Sequence, residues 1–367
     1  MADCWKLYHE NLPDIYTLKL FIIPSWYPTE LHPDSGTFFK DWTQILYENG
    51  FEIVLGAHIM QSAKETFRLP IGKDIQKLMN SDFPEYVLET TNIFPKFEKL
   101  AFQRYKRHTL KLFYHMIQNE GIPDLVWFQS SIWAGAALGE FLYQKKIPFL
   151  VSEHLKEFLN NGFTPFQKEM VLETYSKAST VLATSNALFN SIQKYYIPSQ
   201  LVKLPNPVDE NIFTLSPLND TYPKHMLCIA HFREEKCINI LLDAFHELSI
   251  SGKKMTLRLA GKGPLKKDLE AKINSLGLKN TVKMVGHLSQ SEVVKELHKS
   301  HFLVLPSQIE TFGMAIIEAG ACGVPVVATK CGGPEDIVTS QTGILVEPGS
   351  VSSLYNGLQN MNENFQK

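Results

Sequence analysis

The sequence predicts an α/β protein built from two doubly wound domains in succession, and three observations carry that prediction. At 367 residues the chain exceeds the size at which one hydrophobic core usually keeps growing. Short apolar runs bounded by turn residues alternate with longer mixed stretches, the pattern of parallel strands joined by crossover helices. That pattern occurs twice, on either side of NPVDENIFTLSPLNDTYPKH, a stretch rich in Pro, Asn and Asp.

The strand candidates of the first half are LKLFII, FEIVLGA, LVWFQ, PFLVSE and TVLATS. Those of the second half are MLCIAH, TLRLAG, VKMVGH, HFLVLPS, PVVAT and GILVE. Helical sequence such as ILLDAFHELSI and SEVVKELHKS separates them, as two parallel sheets flanked by helices require. The expected division is a first domain over residues 1–205, a linker over 206–222 and a second domain over 223–367. Ligands of open α/β sheets sit beyond the carboxyl ends of the strands, so the cleft between two such domains is the expected site.

Composition removes several function classes. With 44% hydrophobic and 20% charged residues and a net charge of −2, the chain reads as globular, neither disordered nor built for nucleic acid. Cys4, Cys228, Cys237, Cys322 and Cys331 are scattered and form no CxxC pair, so neither a disulfide framework nor a zinc site is expected, and a cytoplasmic setting fits. The opening MADCWKLYHENLPDIY carries charges where a signal peptide needs an apolar stretch, and no run approaches the ~20 apolar residues of a spanning helix. Neither export nor membrane spanning is expected.

Chemistry concentrates around two carboxylates. After HFLVLPS comes Gln308-Ile309-Glu310-Thr311-Phe312-Gly313, then a helical stretch ending in Ala-Cys-Gly-Val-Pro. Glu310 is expected on the strand-to-helix turn, with Phe312 and Gly313 opening the helix, where unpaired amides attract phosphate. Glu318 follows eight residues later, which on a helix rising ~1.5 Å per residue separates the carboxylates by roughly 12 Å. They would hold the two ends of an elongated ligand. A helix-start acid and a solvated face residue are the plain alternative for either alone. Against it, Glu318 lies in the apolar MAIIEAGACG, where a buried carboxylate needs a partner.

A second cluster, Ile229-Ala230-His231-Phe232-Arg233-Glu234-Glu235-Lys236, follows the first strand of the second half. Its cations would face the same cleft and neutralise a diphosphate; a helix-start charge cluster explains them as well. The turns at Gly261 and Gly263 and at Gly286 and Leu288 follow strands, where a base pocket and an ordinary turn look alike.

Taken together these residues resemble family 4 of the retaining glycosyltransferases, whose two Rossmann-like domains face each other across a cleft in the arrangement called GT-B. The resemblance rests in the second half on HFREEKCINILLDAF, LRLAGKGPLKKDL, VKMVGHL, LVLPSQIETFGMAIIEAGACGVPVVATKCGGPEDIV and GILVEPGS. In the first half it rests on PSWYPTELHPDSGTFFKDWTQILYENGFEIVL, IPFLVSEHLKEF, VLATSNAL and LPNPVDENIF. It implies transfer of a sugar from a UDP or GDP sugar to a hydroxyl with retention, in the building of a cell-surface polysaccharide or lipid-linked oligosaccharide. His154, Glu310, Arg233 and Lys236 would carry the reaction: Glu310 on the sugar hydroxyls, the cations on the phosphates, His154 near the reacting sugar. Glu318 would bind the ribose, and Thr311, Phe312, Gly313 and Met314 would line the sugar and diphosphate. Gly36 matches the glycine-containing loop against the donor, and His231, Gly261, Gly263, Gly286 and Leu288 complete the donor set. The family often has Arg at the position of His231. Asn206 and Asp209 belong to a signature at the domain junction, read as structural.

No DxD motif occurs, in keeping with the metal independence usual in this fold, so no cofactor or metal is expected beyond the nucleotide-sugar substrate. A catalytically silent sugar-nucleotide-binding or partner subunit on the same fold is the alternative, against which the retained glutamates and cations argue. A Rossmann oxidoreductase is disfavoured because PSWYPTE, not GxGxxG, follows the first strand. Residues 96–111, KFEKLAFQRYKRHTLK, hold six Lys or Arg against one Glu, interleaved with Phe97, Leu100, Phe102 and Tyr105. Such a helix suits an anionic membrane surface and a lipid-linked acceptor, with peripheral attachment to the inner face; a solvated helix face is the competing reading.

Overall fold

A computed structural model describes residues 17–29, 35–62, 74–79, 81–215, 224–252 and 254–364. The opening stretch with Cys4, part of PSWYPTELHPDS and residues 216–222 of the expected linker lie outside them.

The first sheet has eight strands: β1 Lys19–Pro24, β2 Glu52–Ser62, β3 Gln76–Leu78, β4 Glu85–Asn92, β5 Leu125–Gln129, β6 Phe149–Glu153, β7 Thr180–Ala183 and β8 Leu201–Lys203. They run in the order β3-β4-β2-β1-β5-β6-β7-β8. Strand β1 pairs in parallel with β2 and β5, and β3 alone is shown antiparallel, against β4. The second sheet has six strands: β9 Lys224–Ile229, β10 Met255–Ala260, β11 Val282–Gly286, β12 Phe302–Leu305, β13 Val326–Thr329 and β14 Gly343–Val346. Its order is β11-β10-β9-β12-β13-β14, and its neighbouring strands pair in parallel. The predicted doubly wound sheets are thus both present. Strands β3, β4 and β8 had no counterpart in the sequence reading.

The chain packs as two compact units that interleave in sequence. One comprises residues 1–153, 164–181 and 198–200; the other comprises 154–163, 182–197 and 201–367. The expected boundary at 205/206 therefore differs from the packing. Residues 154–163 and 182–197 cluster with the C-terminal sheet although the chain reaches them before the first sheet is complete.

In the first unit the helix Glu98–Glu120 lies on β2 and β4. It turns Ala101, Tyr105, Thr109, Leu112, Phe113 and Met116 into the core at spacings of three and four. His58 on β2 is fully buried beneath it, its ring nitrogens 2.8 Å from the hydroxyls of Thr109 and Thr90 and its ring stacked on Tyr105 at 4.3 Å. Burial pushes this imidazole down to about 3, so it is a neutral core residue. Tyr105 is buried, and Phe102 is turned inward by an edge contact with Phe166 and a tilted one with Trp133. That corrects their expected place on a membrane-facing stripe. Phe97 and Leu100 remain 63% and 44% exposed, next to the exposed Lys96 and Lys99, and Arg107 and Lys111 are exposed further along the helix.

The turn that follows β5 is strained. Ser130 has φ 136° and Trp133 φ 58°, conformations that cost a non-glycine residue about 1–3 kcal/mol each. Side chains from neighbouring elements hold the turn in place. Glu153 Oε1 accepts from the Ser131 amide at 3.1 Å, Thr174 donates to the Ser131 carbonyl at 2.9 Å, and Ser25 donates to the Ile132 carbonyl at 2.8 Å.

Candidate functional site

The second unit positions its polar residues at the carboxyl ends of β9 and β12. Strand β12 ends at Leu305, and the following loop is pinned by backbone bonds: Gln308 N–H donates to the Glu235 carbonyl at 2.7 Å and Glu310 N–H to the Cys331 carbonyl at 3.2 Å. A parallel bridge joins Glu310 to Gly332. Gly332 is obligatory at this point: it has φ 129°, and an added Cβ would lie 2.5 Å from the Glu310 carbonyl oxygen.

Beyond Glu310 the structure corrects the sequence reading. The helix spans Met314–Ala321, and Gly313 before it has φ 111°, outside helical geometry. Glu310 and Glu318 therefore do not share a helix, and the two-turn estimate of their separation does not apply. Phe312 does not open the helix; it is buried at 5% exposure. The amides of Phe312 and Gly313, both buried residues, have no protein acceptor among the described residues. Glu318 is half-buried on the helix and is already engaged within the protein.

Strand β9 ends at Ile229, and the loop after it turns through a short 3-10 helix, Glu234–Lys236. Lys236 Nζ lies 2.5 Å from Glu310 Oε1, and the same oxygen accepts from the Ser307 hydroxyl at 2.8 Å. Glu235 in turn holds the ammonium of Lys156. Lys156, Glu235, Lys236 and Glu310 line a cavity of about 270 Å³ formed by residues 154–157, 235–236 and 309–311, all of the second unit. Its charged lining is two lysines, Lys156 and Lys236, and three glutamates, Glu157, Glu235 and Glu310. His154 sits on the same wall, and burial pushes its imidazole down to about 3, leaving it neutral near pH 7. A cation beside a half-buried carboxylate, next to a neutral imidazole, suits a ligand that is anionic at one end and hydroxyl-rich at the other.

Of the expected site residues, the structure gathers His154, Lys236, Glu310 and Thr311 on this cavity. Arg233 and His231 are exposed on the loop that leads to it, and Met314 is half-buried at the helix start. Gly261 and Gly263 have a packing reason: Phe232 N–H donates to the Lys262 carbonyl at 2.8 Å, and a Cβ on Gly263 would lie 2.5 to 2.8 Å from the Phe232 backbone. Gly286 accepts from the Gly261 amide at 2.7 Å, and Leu288 packs on the core. Gly36 belongs to the first unit, where it precedes the helix Thr37–Glu48 against Trp26 and Phe39. Asp209 accepts from the Asn211 amide at 2.9 Å, and Asn206 is buried. Lys156, Glu157, Glu235 and Ser307 were not foreseen. The only hint in the sequence is their closeness to His154, Lys236 and Glu310.

Comparison with known proteins adds to this geometry. The family model for glycosyl transferases group 1 matches residues 212–365. The 2-deoxystreptamine N-acetyl-D-glucosaminyltransferase of Niallia circulans is 33% identical over 132 residues, 36% of this chain and 34% of that protein. The N-acetyl-alpha-D-glucosaminyl L-malate synthase of Bacillus anthracis is 26% identical over 229 residues, 60% of this chain and 59% of that protein. The chain thus spans less than two thirds of the length of either relative. Among solved structures, Anabaena HepE in complex with UDP and glucose superposes with a TM-score of 0.70 at 21% identity, over 94% of this chain and 90% of that one. The chain therefore has the GT-B fold, and its residues 212–365 match the family model of the glycosyl transferases group 1.

Proposed function

We propose that this protein is a glycosyltransferase that moves a sugar from a nucleoside-diphosphate sugar, of UDP or GDP type, to a hydroxyl acceptor during glycan synthesis. The observation that carries the reading is the Lys236–Glu310 pair in a cavity of the group 1 half. Lys236 supplies positive charge where the diphosphate departs, the electrostatic contribution such a reaction needs most. Glu310, with one oxygen held by Ser307, presents the other to sugar hydroxyls. His154, neutral, offers a hydrogen bond to the sugar without adding charge. Glu318 holds the ribose, and the amides of Phe312 and Gly313 meet the phosphates.

The reaction retains the anomeric configuration, as in family 4, and uses no metal. Two relatives that are N-acetylglucosaminyl-transferring enzymes by name support an N-acetylglucosamine donor, and HepE, solved with UDP, supports a UDP donor. The acceptor is a glycan or a lipid-linked glycan recognised by the first unit. The protein works in the cytoplasm at the inner membrane face, its exposed Ile93, Phe97 and Leu100 and the lysines beside them on an anionic bilayer. Among the described residues no helix is long and apolar enough to cross a membrane.

A thermal-shift screen with UDP, GDP, ADP and their sugars, followed by an assay of nucleotide-sugar hydrolysis, tests this. The expected result is stabilisation by one nucleotide and slow hydrolysis that Glu310→Ala abolishes. Binding without hydrolysis or transfer would instead favour a silent nucleotide-binding subunit. No binding at all would sink the proposal.

A further inference from the structure

The cavity holds a second cation, Lys156, whose side chain has no part in the function proposed above. It reaches the cavity from residues 154–157, which follow β6, whereas Lys236 comes from the loop after β9. Two ion pairs therefore lie side by side, Lys156 with Glu235 and Lys236 with Glu310, and the adjacent residues Glu235 and Lys236 belong to different pairs. Each lysine is neutralised by a carboxylate that also lines the cavity.

One explanation is that Glu235 and Lys156 simply tie two segments together. The backbone argues against that need. The Glu235 carbonyl already accepts from Gln308 N–H at 2.7 Å, and Lys236 N–H already donates to the Arg233 carbonyl at 3.1 Å, so the 234–236 turn is fixed without its side chains. The segment of Lys156 is likewise held from its far end, where the Phe158 carbonyl accepts from Ser191, Phe158 is buried, and its ring meets Phe163 edge-on at 4.7 Å. The lysine itself keeps 39% of its side chain exposed. A half-exposed pair of this kind contributes little to stability. What it does do is keep an ammonium at the cavity wall with its charge balanced.

We propose that Lys156 is a second donor-binding cation, which exchanges Glu235 for the diphosphate of the nucleotide sugar. The assignment rests on the cavity taking a nucleoside-diphosphate sugar. A diphosphate carries more charge than one lysine offsets, and the three glutamates of the lining oppose it. Releasing Lys156 from Glu235 supplies the second positive charge, while Lys236, leaving Glu310, frees that carboxylate for the sugar. Glu235 then acts as a competitor of the ligand, not as part of its binding set.

The two members of the pair should therefore have opposite effects, which a structural tie would not produce. Binding of UDP and GDP is measured by calorimetry on the full chain. Lys156→Gln should weaken binding of the preferred diphosphate about tenfold, as expected for loss of a charge-assisted contact. Lys156→Arg should stay within about threefold of wild type, and Glu235→Gln should tighten binding about three- to tenfold. Thermal unfolding of each variant identifies any that fails to fold, and the Arg variant then carries the test with Glu235→Gln. If Glu235→Gln weakens binding, or Lys156→Gln leaves it unchanged, the inference is wrong while the proposed function stands. If wild type binds neither diphosphate, the proposed function itself has failed.

Discussion

Replacing Glu153 by Gln should stabilise the first unit above neutral pH, by an amount that follows from the surroundings of the carboxyl group. Glu153 is fully buried at the end of β6; Oε1 accepts from the Ser131 amide and, at 2.9 Å, from the Tyr175 hydroxyl, while Oε2 has no hydrogen-bond partner among the described residues. Burial pushes its ionisation from the ordinary 4.5 up to about 7. The folded state thus holds the proton more tightly than the unfolded chain does. That contribution is fully present below pH 4.5 and is lost as pH climbs through 7. At 1.36 kcal/mol per pH unit the whole loss is about 3 kcal/mol, most of it between pH 5 and 8. A glutamine keeps the carbonyl that accepts both hydrogen bonds and does not titrate, so the variant escapes this loss. All five tryptophans precede residue 154, so their fluorescence during urea unfolding follows the first unit. With a typical slope of 1–3 kcal/mol per molar urea, the wild-type midpoint should fall relative to the variant by about 1 M between pH 5 and 8. Midpoints that move together over that range would refute the reasoning.

Three further outcomes are expected. Gly332→Ala forces a Cβ toward the Glu310 carbonyl at φ 129°, so it should cost the second unit about 1–3 kcal/mol and lower kcat/KM at least tenfold; an unchanged Tm with full activity would contradict the packing argument. Glu318→Ala should weaken nucleoside-diphosphate binding about tenfold by calorimetry if the carboxylate holds the ribose; equal affinity would remove that role. Changing Lys96, Lys99 and Arg107, all exposed, to Glu should release the protein from anionic liposomes in flotation, each charge contributing about 1 kcal/mol; wild type that never floats would leave the basic face as a solvated surface.

Most of both sheets was legible because a strand covered on both faces must be apolar throughout. LVWFQ and PFLVSE show this, and both appear as strands within a residue of expectation. Strand β4, EYVLETTN, escaped because Glu85, Thr90 and Thr91 are buried polar residues that break the apolar run. Strands β3 and β8, three residues each, are too short for any period to register. At the site, Glu310 and Lys236 stood out through their neighbours in sequence. Lys156 and Glu235 did not, because their pairing joins residues 79 positions apart and exists only once the chain has folded. The helix assumed between Glu310 and Glu318 failed at Gly313, whose conformation is set by its place before the helix and not by its helix-compatible neighbours.

The interleaving of the two units limits how this protein can be cut. A fragment beginning at the linker would retain both flanking loops of β9 and β12 and nearly everything that the family match covers. It would still lack residues 154–163, and with them His154, Lys156 and one wall of the cavity. The C-terminal half is therefore not a portable module. Swapping it between relatives at the linker would pair a foreign wall with the native carboxylates, and a chimera that keeps its ligand preference needs three exchanged segments, 154–163, 182–197 and 201–367, in place of one.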